Sequence, residues 1–287
     1  MPAEAAVRSA PLHRHVVNGL PMAVQIEGSG PPVLLIHGFP DDHQVWRHQV
    51  PALVAAGYTV IVPDLRGCGA TEAPARVADY RIPVLVADLL ALLDALGIAQ
   101  ARVVGHDWGA VLGWQLAIRH PQRVLRYVAL SVGHPNAYAS AGLAQKLRSW
   151  YVLMFQWRGG AEWLLTRRDW SFFRSFAWQP VESPHWVARL SAPGRLTAAL
   201  NYYRANLRTL LLERFPAATV PVLGIYSTGD RYLTEAQMIR SREHVTADWR
   251  YVRLDGPGHW MTLDAPDAVN ALLIDYLAAD LPGARTP

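Results

Sequence analysis

The segment Gly105-His106-Asp107-Trp108-Gly109 constrains the fold most, because it joins a short apolar run to a stretch with helical composition. A glycine on each side of one polar residue, between a strand and a helix, is typical of a nucleophile elbow, a turn so sharp that only small neighbours fit. The central side chain then lies at the helix N-terminus, where free N–H groups and the helix dipole favour a carboxylate. The sequence therefore predicts an ionised, nucleophilic Asp107. The alternative is an ordinary helix N-cap.

Apolar patterns predict the remaining elements. Two alternating runs, 13–17 and 22–27, are joined by Asn18-Gly19 and indicate a β-hairpin. Further strands are predicted at 32–36, 58–62, 101–104, 124–130, 221–226 and 250–254. Helices are predicted at 84–96, which ends at Gly97, at 108–119, at 234–244 with Thr234 as N-cap, and at 266–277. This alternation predicts an α/β fold, with a mostly parallel sheet flanked by helices.

The section 135–216 interrupts the alternation. It has helical patches and no convincing strand, and it contains six of the eleven tryptophans and five of the six phenylalanines. We expect a helical lid inserted into a core domain formed by residues 1–134 and 217–287. Such a lid would lie above the carboxyl ends of the strands, where open α/β sheets bind ligands. Most of its aromatic residues are expected to pack the lid onto the core, but a lid this apolar also admits a hydrophobic substrate.

The charge balance and the single cysteine limit partners and compartment. The net charge of +4 comes from 27 basic and 23 acidic residues, and the basic residues are scattered along the chain, so a nucleic-acid partner is not expected. Cys68 can form no intramolecular disulfide. The segment 1–14 lacks a continuous apolar run, and no stretch is long enough to span a membrane. We therefore expect a cytoplasmic protein without a membrane partner; the oligomeric state stays open, a homodimer included.

Two further polar residues follow predicted parallel strands, Asp230 after 221–226 and His259 after 250–254. Carboxyl ends of parallel strands meet at one edge of a sheet, and the order nucleophile, acid, histidine is that of α/β hydrolases. Taken singly, the acid is compatible with a turn cap and the histidine with a loop. A carboxylate that attacks saturated carbon gives an ester that water then opens, so Asp107 points to an epoxide or an alkyl halide. The histidines show no metal-ligand spacing, and neither a metal nor an organic cofactor is expected.

The segment His37-Gly38-Phe39-Pro40 directly follows the first predicted parallel strand. At this position an α/β hydrolase supplies one backbone N–H of its oxyanion hole, and the residue after the nucleophile supplies the other. Phe39 and Trp108 are therefore the candidate oxyanion-hole residues. His37 itself is expected to brace the loop.

Several motifs resemble those of α/β-hydrolase-fold epoxide hydrolases, over nearly the whole chain from about His13 to Leu277. Most of these motifs are shared with haloalkane and haloacetate dehalogenases, so they specify the superfamily more than the reaction. The matching segments are His37-Gly38-Phe39-Pro40, Trp46-Arg47-His48-Gln49, Asp64-Leu65-Arg66-Gly67, Gly105-His106-Asp107-Trp108-Gly109-Ala110 and Gly258-His259-Trp260.

The resemblance also implies two lid tyrosines that bind the epoxide oxygen and protonate it as the ring opens. Tyr151 matches the first by its spacing to Phe155-Gln156, and Tyr203 matches the second. Tyr202 is the neighbouring alternative, and adjacent helical residues point about 100° apart, so only one of the pair can face a cavity. A phenol near pKa 10 can protonate an alkoxide, whereas a halide needs no such proton.

Together these patterns predict an epoxide hydrolase that converts an apolar epoxide into a vicinal diol. Asp107 forms an alkyl ester, and His259, oriented by Asp230, activates the water that hydrolyses it. One alternative is a haloalkane dehalogenase with the same nucleophile, in which Trp108 and a lid tryptophan hold the halide. Another is a catalytically silent ligand-binding protein. Substrate contacts are expected from Phe39, Trp108, Trp150, Met154 and Trp260.

Overall fold

The computed structural model describes residues 11–280. Positions 1–10 and 281–287, which contain most of the amino-terminal segment considered above and both ends of the predicted core domain, lie outside the described residues. The strands of the described chain form one sheet and are β1 (His13–Val17), β2 (Leu20–Glu27), β3 (Pro32–Ile36), β4 (Thr59–Pro63), β5 (Ala101–His106), β6 (Val124–Leu130), β7 (Val222–Ser227) and β8 (Trp249–Leu254).

The α-helices of the described chain are α1 (Gln49–Ala55), α2 (Ile82–Ala95), α3 (Trp108–Arg119), α4 (Pro135–Ala139), α5 (Leu143–Arg148), α6 (Trp150–Met154), α7 (Gly160–Ala177), α8 (Ser183–Leu190), α9 (Arg195–Leu212), α10 (Glu235–Arg240), α11 (Met261–Asp264) and α12 (Pro266–Leu277). Short 3-10 helices cover His43–Trp46, Val77–Tyr80, Pro121–Arg123, Ser241–His244 and Ala278–Asp280. Within the described residues, no helix has both the length and the apolar character that crossing a membrane requires.

The strand order is β1-β2-β4-β3-β5-β6-β7-β8. β1 pairs antiparallel with β2, and β2 antiparallel with β4, whereas all the other neighbours are parallel. The central strands β3, β4 and β5 are almost fully buried, as expected for apolar runs covered by helices on both faces. The predicted α/β fold with a mostly parallel sheet is confirmed.

The predicted hairpin is also confirmed. Val17, the last residue of β1, and Leu20, the first residue of β2, are register partners. Asn18 and Gly19 between them have φ angles of 48° and 73°. Positive φ at both central residues is what a two-residue type I′ turn requires, and asparagine and glycine tolerate it best.

The helices depart from the predicted bounds in two places. Helix α2 runs from Ile82 to Ala95, against the predicted 84–96. The predicted helix 234–244 is α-helical only from Glu235 to Arg240 and continues as a 3-10 helix to His244. Thr234 does not cap it with its side chain. Instead, the N–H and the hydroxyl of Thr234 donate to the side-chain oxygen of Gln145, at 2.8 and 3.0 Å. Thr234 therefore occupies the predicted N-cap position, but its hydroxyl bonds to a residue distant in sequence and not to the helix.

Helices α4 to α9 occupy the chain between β6 and β7, and the described residues 135–216, here called the insertion, contain no strand. Helix α7 is interrupted by non-helical dihedral angles from Arg167 to Trp170. Most of the tryptophan and phenylalanine side chains of the insertion are buried or half-buried, as expected, but of its tryptophans only Trp170 and Trp186 are buried. The exposed tryptophans of the insertion are Trp150, Trp157, Trp163 and Trp178.

Buried polar contacts fasten the insertion to the core. The Asp41 carboxylate accepts hydrogen bonds from the indole N–H groups of Trp186 in α8 and of Trp260 after β8, each at 2.9 Å. Asn206 in α9 accepts from the backbone N–H of Ile82 at 2.8 Å. These contacts hold the insertion above the carboxyl ends of the parallel strands.

Candidate active site

Asp107 lies in the sharp turn between β5 and α3. Its φ of 53° and ψ of −120° are strained for a residue with a side chain. The turn fits only because its neighbours are small: a Cβ on Gly109 would overlap the backbone carbonyl of Ile36. The Asp107 side chain makes no capping hydrogen bond to α3 and instead accepts from the N–H of Phe39 at 2.8 Å. An ordinary N-cap is therefore ruled out for Asp107.

Asp107, Asp230 and His259 meet above the sheet. His259 Nδ1 lies 2.7 Å from Asp230 Oδ2, and His259 Nε2 lies 3.5 Å from Asp107 Oδ2. The second oxygen of Asp230 accepts from the backbone N–H groups of Tyr232 and Leu233, at 2.8 and 3.0 Å. Both oxygens of the Asp230 carboxylate are thus engaged, which fixes the imidazole ring between the two acids.

The two acids and the histidine set each other's charge. Burial alone would lower the pKa of His259, but the nearby carboxylates of Asp230 and Asp107 raise it to about 10. Burial alone would raise the pKa of Asp107, but contact with His259 and the N–H of Phe39 outweigh burial and lower it. At neutral pH the site therefore holds an ionised Asp107 beside a protonated His259.

His106, the residue before the nucleophile, supports this arrangement from below. Its Nε2 donates to the backbone carbonyl of His259 at 2.9 Å. Burial and the neighbouring His259 lower the pKa of His106 to about 4, so this imidazole is neutral. The role of His106 was not predicted from the sequence, although its position next to Asp107 was a signal.

Two cavities meet at Asp107. The apolar cavity measures about 680 Å³ and the triad cavity about 300 Å³. Asp107, Tyr151 and Tyr203 line both of them. The other residues of the apolar cavity are Trp108, Val111, Val132, Gly133, Pro135, Tyr138, Val152, Leu207, Leu210, Leu211 and Leu233, and those of the triad cavity are Phe39, Pro40, Phe176, Ala177, Tyr232, His259 and Trp260.

Tyr151 in α6 and Tyr203 in α9 face Asp107 from the insertion. Their rings pack edge to face, with centroids 6.0 Å apart. Burial raises the pKa of both phenols well above 10, with the other tyrosine adding to the effect at Tyr151 and the Asp107 charge at Tyr203. Both phenols are therefore neutral hydrogen-bond donors at neutral pH.

Tyr202 points elsewhere. Its hydroxyl donates to the backbone carbonyl of Arg66 at 2.7 Å, and its ring lines a third cavity of about 490 Å³. That cavity extends between the loop after β3 and the insertion, where Asp41, Arg189 and other polar residues line it. Of the two neighbouring tyrosines, Tyr203 is the one that reaches Asp107.

The residues expected to contact substrate divide into two groups. Phe39 and Trp260 line the triad cavity. Trp108, the first residue of α3, lines the apolar cavity. Trp150 and Met154 line neither cavity within the described chain, and their contact with substrate stays a prediction. Their helix α6 turns Tyr151 inward, and Trp150 is 49% exposed as a result.

Two lining residues that the sequence analysis missed are Tyr232 and Phe176. The Tyr232 ring packs 5.1 Å from that of His259, and its hydroxyl donates to the Phe176 carbonyl at 2.6 Å. Its position two residues after Asp230 was the only available signal, because no local pattern predicts which residue of a loop packs on a distant imidazole.

One cluster of the described residues has the donor atoms of a metal site: Asp42, His43 and Asp64 offer ligand atoms within 4.8 Å of one another. One Asp64 oxygen accepts from the N–H and Nδ1 of His43, at 2.9 and 2.7 Å, and the other from the N–H of Ala70, at 2.7 Å. Burial opposes ionisation of Asp42, but contacts with His185 and Arg189 lower its pKa. The carboxylate and imidazole atoms that could bind a metal thus contact protein groups, and the cluster stabilises the loop after β3.

Comparisons with known proteins show the family of this chain. Residues 31–266 match the family model described as alpha/beta hydrolase fold. Epoxide hydrolase A of Mycobacterium tuberculosis is 33% identical over an alignment that covers 93% of this chain and 98% of the relative. Epoxide hydrolase 3 of Xenopus tropicalis is 32% identical, with 87% of this chain and 72% of the relative covered.

A solved structure with the same architecture is that of an epoxide hydrolase from Vigna radiata. It is 30% identical, with a TM-score of 0.83, and the match covers 95% of this chain and 99% of that one. The chain therefore belongs to the α/β-hydrolase-fold epoxide hydrolases.

Proposed function

We propose that this protein hydrolyses an apolar epoxide to a vicinal diol through a covalent ester on Asp107. The observation that carries the proposal is that Asp107, Tyr151 and Tyr203 together line both cavities of the site. A nucleophile on one side and two neutral phenols on the other are the groups that opening an oxirane ring requires.

In the first step Asp107 Oδ2 attacks an oxirane carbon and the ring C–O bond breaks. The other oxygen, Oδ1, is already held by the N–H of Phe39 and becomes the ester carbonyl. The departing oxygen stays attached to the substrate as an alkoxide, and a phenol of Tyr151 or Tyr203 protonates it. Their raised pKa values keep both phenols protonated until this step.

In the second step water attacks the ester carbonyl. Formation of the ester removes the negative charge of Asp107, one of the two charges that raise the pKa of His259. The pKa of His259 then falls, and its imidazolium proton passes to the phenolate that ring opening left in the same cavity. The free Nε2 can now accept a proton from water while Asp230 keeps the ring in place. The N–H groups of Phe39 and Trp108 stabilise the oxyanion. The Cγ–Oδ2 bond of Asp107 then breaks, the imidazolium of His259 protonates Oδ2, and the diol leaves with that oxygen.

A haloalkane dehalogenase is disfavoured by the orientation of the tryptophans. That reaction would use Trp108 and an insertion tryptophan to hold the halide, yet no insertion tryptophan lines the apolar or the triad cavity within the described residues. Trp186, the most deeply buried of them, donates its N–H to Asp41 instead. The polar groups facing Asp107 from the insertion are phenols, which suit an oxygen leaving group.

The test is a panel of styrene-type, aliphatic and fatty-acid epoxides beside haloalkanes, in which diol and halide are measured. Diol without halide is expected. A single turnover with excess enzyme in ¹⁸O-labelled water should then give a diol free of label, because its new oxygen comes from Asp107. Label in that first diol would mean direct hydration and would contradict the covalent step.

A further inference from the structure

The outer surface of the insertion carries most of the exposed large apolar side chains. Of the twelve such side chains in the described chain, ten lie in the insertion. Seven of them belong to α5, α6, the turn after α6 and the end of α9, and are 49–70% exposed. We call these seven the apolar patch: Leu143, Leu147, Trp150, Leu153, Trp157, Leu211 and Leu212.

The patch lies on the outward side of its helices. In α5 the buried residue is Gln145, and Leu143 and Leu147 are two positions away from it, about 200° round the helix. In α6 the buried residue is Tyr151, and Leu153 has the same relation to it. Soluble proteins rarely expose this much apolar surface in one place without a partner.

The patch adjoins the apolar cavity. Leu211 belongs to the patch at 52% exposure and also lines that cavity. Val152 of α6 lines the same cavity beside Leu207 and Leu210 of α9, so the two helices meet at its rim. A molecule that enters between them passes from the patch to Asp107 without leaving apolar surroundings.

The insertion is also the cationic part of the chain. Residues 135–216 contain eleven Lys and Arg but four Asp and Glu residues, a net charge of +7, although the whole chain has only +4. Exposed cations lie on the segments that carry the patch or directly follow them: Lys146, Arg158, Arg208 and Arg214. The excess of basic residues thus lies in the segment that carries the apolar patch.

The positive charge of the insertion distinguishes between two candidate partners of the apolar patch, a second copy of the chain and a lipid surface. Two insertions facing each other across a symmetric dimer would bring like charges together, which opposes association. Leucine and tryptophan side chains ringed by arginine and lysine are instead the composition of a surface that enters the interface of an anionic bilayer.

We propose that the apolar patch docks the protein on an anionic phospholipid surface, with the mouth of the apolar cavity facing the lipid. No membrane partner was expected from the sequence, because no stretch is long enough to span a bilayer; docking on a lipid surface needs no such span. The proposal concerns binding alone, so its test does not depend on the proposed function.

The test is flotation of the full chain with vesicles of phosphatidylcholine alone or mixed with phosphatidylglycerol. We expect at least about tenfold stronger binding to the anionic vesicles, and a loss of most of that preference at high salt. The Leu147→Ser/Leu153→Ser variant should bind about tenfold more weakly than wild type. The matched control is Val16→Ser/Ile239→Ser, which removes two exposed apolar side chains outside the insertion, 74% and 49% exposed. This control should bind like wild type.

Equal binding of the two double variants, or no preference for anionic vesicles, would overturn the proposal. A dimer detected by light scattering that dissociates in the Leu147→Ser/Leu153→Ser variant would also overturn it, because a second copy would then be the occupant. Turnover of a water-soluble epoxide by that variant should equal that of wild type. Absence of epoxide turnover in wild type with vesicle binding intact would contradict the proposed function and leave the docking surface standing.

Discussion

Tyr202 and Tyr203 are neighbours in α9, and their side chains enter different cavities. The Tyr203 ring lines both cavities that contain Asp107, whereas Tyr202 lines the third one and donates its hydroxyl to the Arg66 carbonyl. Both are buried tyrosines of the same helical turn. The pair therefore offers a matched comparison between a phenol that faces the nucleophile and one that braces the fold.

The Tyr151→Phe/Tyr203→Phe double variant should lose epoxide turnover by a factor on the order of 10²–10⁴, because no donor then protonates the departing alkoxide. The measurement is diol formation at saturating substrate. The control is Tyr202→Phe, which should keep turnover close to wild type while losing about 1 kcal/mol of stability with its hydrogen bond. Turnover retained in the double variant would remove the phenols from the mechanism.

His259→Gln should accumulate the covalent ester, since ring opening needs Asp107 and the phenols but hydrolysis needs the imidazole. Intact-protein mass spectrometry after addition of an epoxide should show the enzyme heavier by the mass of one substrate. Asp107→Asn/His259→Gln should show no such increase. Normal turnover by His259→Gln would be incompatible with its role as the base.

Asp107→Asn should lower the pKa of His259, because the variant removes one of the two carboxylates that raise it to about 10. A raised pKa in the folded protein adds stability that is fully present below the unfolded value near 6.5 and is lost as pH rises through about 10. In the variant this loss should be complete at a lower pH. Titration of the imidazole by NMR measures the shift. An unchanged pKa of His259 would contradict the proposal that loss of the Asp107 charge on ester formation lets His259 act as a base.

Asp88→Ala should destabilise the core by about 3–5 kcal/mol without altering the residues around Asp107, because it leaves the buried Arg66 guanidinium unpaired. Two hydrogen bonds of 2.7 Å join that guanidinium to Asp88. Denaturant unfolding measures the loss. The exposed pair of Arg250 and Asp275 is the control, and Asp275→Ala should cost about 1 kcal/mol or less. Equal losses in the two variants would contradict this assignment.

The sheet and its nucleophile turn were predictable because their signals are local. Apolar runs identify the buried strands. The close approach of Ile36 requires Gly109, and the close approach of the Gly109 backbone requires Gly105. The positions of Asp230 and His259 followed from one general property of parallel sheets, the meeting of their carboxyl ends.

The orientation of the helices in the insertion was harder to predict from the sequence. Trp150 and Tyr151 are adjacent, and which of them faces inward depends on the phase of α6 after the break at Ser149. Thr234 stands at the predicted N-cap position, but its hydroxyl donates to Gln145 of the insertion and does not cap the helix. Such contacts join residues far apart in sequence, and neither periodicity nor spacing encodes them.

Tyr232 joins two parts of the enzyme that have separate tasks. Its backbone N–H holds the Asp230 carboxylate, and its hydroxyl holds the Phe176 carbonyl of the insertion. A displacement of α7 is thereby transmitted to the acid that orients the base. Substitutions that loosen the insertion will for this reason alter how long the covalent adduct survives, even where they leave the entry of substrate untouched.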